Sequence, residues 1–173
     1  VGEAMESVAP DDLDALAFHF AEAALDGVAD KAVDYAVAAA RRLRERSNPE
    51  EAIAALTRGL EAIELTEPVD LERRCDLLLE LGDIEQWLSA GASVFQELGN
   101  RAAGDARSLG SGVRLARAAA IAFYPVVGAP DEQGSALVEE ALALLGEDDI
   151  DLRVQLLVRL AQYRIESEAV GAD

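Results

Sequence analysis

Catalysis in this chain would have to draw on a short inventory, because its 173 residues include one histidine, one cysteine and one lysine. His19 lies within Phe18-His19-Phe20, with Glu22 three residues on and Asp26 seven. That spacing allows a weak cation site at most, and a structural histidine near a domain junction is the simpler reading. Cys75 has no second cysteine to pair with, so neither an internal disulfide nor a multi-cysteine metal site can form, and it reads as a small buried hydrophobe. A phosphate-binding loop needs a glycine-rich turn before Lys-Ser/Thr, whereas Lys31 follows Ala29-Asp30. Gly104, Gly110 and Gly112 lack the preceding strand of a dinucleotide site and read as helix ends and turns. The acidic runs Asp11-Asp12-Leu13-Asp14 and Glu147-Asp148-Asp149-Ile150-Asp151 lack the glycine turn and closing glutamate of a calcium loop. Both precede helices, where acids cap and complement the dipole. The expectation is a segment with no catalytic residues, no metal and no cofactor.

Charge restricts the partners. Thirty-four acidic residues against fifteen basic ones give a net charge of −19, which repels phosphate backbones and anionic lipid. No contact with nucleic acid or membrane is expected, and lower salt should make DNA binding worse rather than better. There is no long apolar run, and VGEAMESVAPDDL has neither a basic n-region nor an apolar h-region. A cytoplasmic location follows as the expectation, and the start at Val1 reads as a chain cut from something longer.

The elements that would position any site are helices. Ala and Leu dominate the apolar half of the sequence, aromatics make up 5 % of it, and no stretch alternates strictly. Helical patterns run over Asp12–Leu25, Lys31–Arg46, Glu50–Leu65, Leu71–Ser89, Ala92–Leu109, Gly112–Val126, Glu132–Leu145 and Ile150–Glu166. The clearest local signal is Asn48-Pro49-Glu50-Glu51: a cap, a proline at the first helical position, and a carboxylate where a capping box wants one. Leu71, Cys75, Leu78 and Leu81 form one stripe, and Leu152, Leu156, Leu160 and Tyr163 another.

First helices of successive pairs begin near Lys31, Leu71, Gly112 and Ile150, about 40 residues apart, within the range of helical solenoid repeats. The predicted fold is all-α: a single domain over 1–173, built as a right-handed superhelix of antiparallel helix pairs. Residues 1–30 form a capping or junction helix. The pairs are 31–66, 71–109 and 112–146, and 150–166 is a last helix without a partner. First helices would line the concave face, where peptides and small ligands dock on such arrays. Core packing accounts for most of Trp87, Phe95, Phe123, Tyr124 and Tyr163. The groove between the second and third pairs is the candidate binding surface, with Trp87, Phe123 and Tyr124 as its aromatic lining. Arg114 and Arg117 stand nearby to meet an anionic group, and Pro125 kinks or stops the helix.

The stretch Leu16–Ala23 (LAFHFAEA), followed by Ala29–Ala36 (ADKAVDYA), resembles the start of the tetratricopeptide-like region of large ATP-binding, LuxR-type regulators, common in actinobacteria. Glu72–Asp83 and Leu137–Gly146, with Leu152–Ala161 after it, fit the same picture. The standard pattern is matched only in part. Ala40, Leu43, Ala52, Leu56 and Gly59 fall at its positions, but 92–109 does not keep its small residues and the period exceeds 34. The resemblance implies an N-terminal signalling ATPase, then this array, then a DNA-binding helix-turn-helix. The array would sense an inducer or protein partner and restrain the intramolecular ATPase. Related modules are linked to cyclases or kinases, so an interaction scaffold there, or a free-standing adaptor, stays open.

Overall fold

The computed structural model describes residues 2–88, 91–124 and 131–170, and among these every regular element is a helix. They are α1 (Gly2–Val8), α2 (Leu13–Glu22), a 3₁₀ turn (Ala24–Asp26), α3 (Ala29–Glu45), α4 (Pro49–Glu64), α5 (Leu71–Leu88), α6 (Ala92–Ser108), α7 (Gly112–Ala122), α8 (Glu132–Leu144) and α9 (Ile150–Val170). No helix among the described residues is long and apolar enough to cross a membrane. The chain forms two compact units, residues 1–84 and 85–173.

The caps follow the sequence closely. Asp12, Asn48, Ser111 and Asp131 each accept a backbone N–H from the first turn of the helix they precede. Asp70 does the same for α5, taking the N–H groups of Glu72 and Arg73 at 3.0 and 3.1 Å. The expected reciprocal half of the capping box at Asn48 does not form, because the Asn48 N–H is already donated to the Leu43 carbonyl. That bond belongs to the turn that ends α3. Ser47 stands at φ 57°, its N–H donates to Arg44 O, and the Asn48 N–H reaches back to Leu43 O. The α6–α7 connection repeats this turn: Gly110 has φ 63° and donates to Arg107 O, and the Ser111 N–H donates to Ala106 O. In both places one left-handed residue closes a helix and the next residue caps its successor.

The N-terminal region and the end of α7 depart from the sequence pattern. The N-terminal capping region holds two helices, since α1 precedes Pro10 and α2 stops at Glu22, short of the expected Leu25, to close through the 3₁₀ turn on Gly27 in the left-handed region. The helix starting at Gly112 ends at Ala122. Phe123 is extended (ψ 101°), and Tyr124 precedes a proline, which disfavours helical backbone there. The expected end at Val126 and the kink at Pro125 lie outside the described residues.

In the first unit, α3 packs on α4 through small residues. A Cβ on Gly59 would stand 2.8 Å from the Ala36 Cβ, so this approach needs glycine. The apolar end of α2 (Leu16, Phe20) packs with Ala29, Ala32 and Ala62, and α1 covers it with Met5. Tyr35 stacks on Phe20 with centroids 5.3 Å apart, and Lys31 Nζ sits 4.9 Å above the same ring. Arg73 on α5 bonds Asp34 at 2.8 Å, with Asp30 and Asp70 within 4 Å. In the second unit α6 packs tightly on α7. A Cβ on Gly99 would stand 2.6 Å from the Ala122 nitrogen and 2.9 Å from the Ala118 carbonyl. This contact crosses the boundary at which the 40-residue spacing divides the second pair from the third.

Candidate functional site: the C-terminal end of α7

All five residues proposed from sequence fall in the second unit, and α7 positions four of them. Six of its eleven residues are alanine or glycine, so it lies close against α6, and Ala116, Ala118, Ala119, Ala120 and Ala122 are all buried. Such a helix buries its last turn together with carbonyls that have no partner within the helix. Two side chains supply partners. Gln86, in the last turn of α5, donates Nε2 to Ala120 O at 3.3 Å and Ile121 O at 3.4 Å. Arg159 on α9 donates Nη1 to Ala120 O and, at 3.0 Å, to Phe123 O, and Nη2 to Gln86 Oε1 at 3.1 Å. A guanidinium here also meets the negative end of the α7 dipole.

The extended backbone at Phe123 then sends two consecutive rings in different directions. Phe123 turns inward, is fully buried, and meets Tyr163 edge-on with centroids 5.4 Å apart. Tyr163 in turn accepts the Asp131 N–H at 3.2 Å, next to the cap of α8. Phe123 is thus a core residue rather than part of an accessible lining. Tyr124 turns outward, 45 % exposed, and rests edge-on against buried Phe95 at 5.3 Å. Trp87, immediately after Gln86, is 76 % exposed. Trp87 is therefore not packed in the core, and Tyr124 has one side on the core and the other in solvent.

Arg114 and Arg117 are half-buried and one turn apart. Arg114 sits in the first turn of α7, where its N–H bonds the Ser111 hydroxyl. Arg117 lies one turn further along the helix, and both precede the aromatic pair in sequence. Sequence reasoning missed Gln86 and Arg159. The one available signal was a polar residue beside an apolar stripe, since Arg159 is flanked by Val158 and Leu160.

The assembled groups are engaged carbonyls, an amide, a guanidinium bound to both, and aromatic faces. This set offers a rigid base for exposed apolar surface, which suits binding of an apolar or aromatic group. His19 is half-buried on α2 with Phe18 edge-on at 5.4 Å, and the Asp26 side chain lies outside the described residues. Among the described residues no three metal-capable side chains converge. No protein-family model, curated protein or solved structure matches the chain.

Proposed function

We propose that this chain is a cytoplasmic, non-catalytic helical module that holds an inducer or protein partner and passes its presence to an attached signalling ATPase of a LuxR-type regulator. The observation that carries the binding part is the exposure of Trp87, next in sequence to Gln86, and of Tyr124, which follows a helix end tied down by Gln86 and Arg159. Large aromatics held exposed on a rigid base cost little conformational entropy when a partner covers them, which is how interface anchors work. The regulator context is supported by the resemblance of Leu16–Ala23, Ala29–Ala36 and Glu72–Asp83 to the tetratricopeptide-like region of that family. The superhelical stacking of helix pairs belongs to the same proposal.

Two experiments test it. The complete reading frame should encode a P-loop ATPase before this segment and a helix-turn-helix after it. A cyclase domain instead would move the module to a different class of signalling protein. Calorimetry on the purified segment should give no saturable heat with ATP, and saturable binding at micromolar nucleotide would overturn the non-catalytic reading.

A further inference from the structure

The helix α9 carries apolar residues on two sides. Leu156 and Leu160 are buried, with Tyr163 beside them against Phe123, and this is the stripe that the sequence pattern picks out. A second stripe consists of Ile150, Val154, Leu157, Val158, Ala161 and Ile165. At helical spacing these six fall within an arc of about 100°, the width of a core-facing stripe. Yet its five large members are between 48 % and 68 % exposed. The stripe runs about 22 Å, the length of four helical turns. Exposed Glu147, Asp148 and Asp151 gather at its N-terminal end.

We infer that this stripe is the docking face for an amphipathic helix of a partner protein, lying antiparallel to α9 and carrying cations in its last turn. The straight, narrow shape fits a helix with anchors every third or fourth residue. In the antiparallel arrangement the partner's C-terminal turn, where cations favour the helix dipole, falls beside Glu147, Asp148 and Asp151. A second copy of this chain is a poor occupant, since pairing would bring together two bodies of −19 each. This surface shares no residue with Trp87 and Tyr124, so the inference goes beyond the reading above.

The test is calorimetric titration of the chain with a synthetic helix of about four turns that has a leucine stripe and lysines in its last turn. Val154→Asp is the decisive variant because it adds negative charge to the face. Attraction by charge alone would strengthen, whereas docking on the stripe should weaken by roughly tenfold or more. Val158→Gln, which leaves the charge unchanged, should weaken binding as well, and circular dichroism checks that both variants fold. Glu147→Gln with Asp148→Asn should reduce both affinity and its salt dependence. Four results would overturn the inference: no binding of the helix, equal or tighter binding to Val154→Asp, a concentration-dependent dimer in light scattering that Val154→Asp abolishes, or loss of binding in the complete protein, where the segment after α9 would then be the occupant.

Discussion

Arg159 Nη2 donates to Gln86 Oε1 at 3.1 Å, and the two side chains share the Ala120 carbonyl. They are 73 residues apart in sequence, yet together they finish the end of α7. Arg159→Leu should leave Phe123 O without this donor, and a buried carbonyl left unpaired costs about 1–3 kcal/mol. Arg159→Lys keeps the charge near the helix terminus but loses the planar fork, so it should fall between the leucine variant and the parent. Urea unfolding followed by the far-ultraviolet circular dichroism of this all-helical chain reads this out.

Ser47 occupies the left-handed position at φ 57° that Gly110 fills in the matching turn. A side chain there is strained, and glycine removes the strain while adding freedom to the unfolded chain. Ser47→Gly should therefore raise stability by about 0.5–1 kcal/mol, a shift of roughly 1–4 °C in melting temperature. Gly110→Ser should lower it. Differential scanning calorimetry of the two variants gives opposite signs if the turns are equivalent.

Arg107 grips Glu140 with both arms of its guanidinium, at 2.8 and 2.6 Å, joining α6 to α8. The hydrogen bond from Arg107 holds the Glu140 carboxyl below its ordinary value, against a smaller opposing effect of burial. A depressed carboxyl pKa contributes stability that is present above the unfolded value, about 4.3, and is lost as pH falls through the folded one. The pair is largely solvated, so its share stays under about 1 kcal/mol. Glu140→Gln should melt lower than the parent at pH 7, and the difference should close as pH drops below about 4. A gap that stays constant into acid would mean that the pair contributes nothing through ionisation.

Helices, caps and turns were legible because their signals are local. Asn48-Pro49 acts within four residues of itself and reads as a cap; Ser111 and Asp131 act in the same local way but were not singled out. The exposure of Trp87 and Tyr124 was not legible, since Phe123 and Tyr124 are adjacent and chemically alike, and only the extended backbone before Pro125 separates inward from outward. Gln86 and Arg159 were invisible for a different reason. Their partners are backbone carbonyls, which carry no sequence identity. The outer stripe of α9 was present in the spacing, but a periodicity reading stops once one apolar face has been found, and Leu152, Leu156, Leu160 and Tyr163 satisfied it first.

The central claim is that Trp87 and Tyr124 form a contact surface rather than part of the core. Trp87→Ala and Tyr124→Ala should each be introduced into the complete protein, proposed above to be a regulator, and into the isolated chain. Thermal melts of the chain should shift little, within about 0.5 kcal/mol for Trp87→Ala, because a solvated ring contributes little to folding. The inducer-dependent transcriptional output of the complete protein should be lost or reduced by roughly tenfold in each variant, the loss expected of an interface anchor. Unchanged output from both variants, or a collapsed melt for both, would contradict the account.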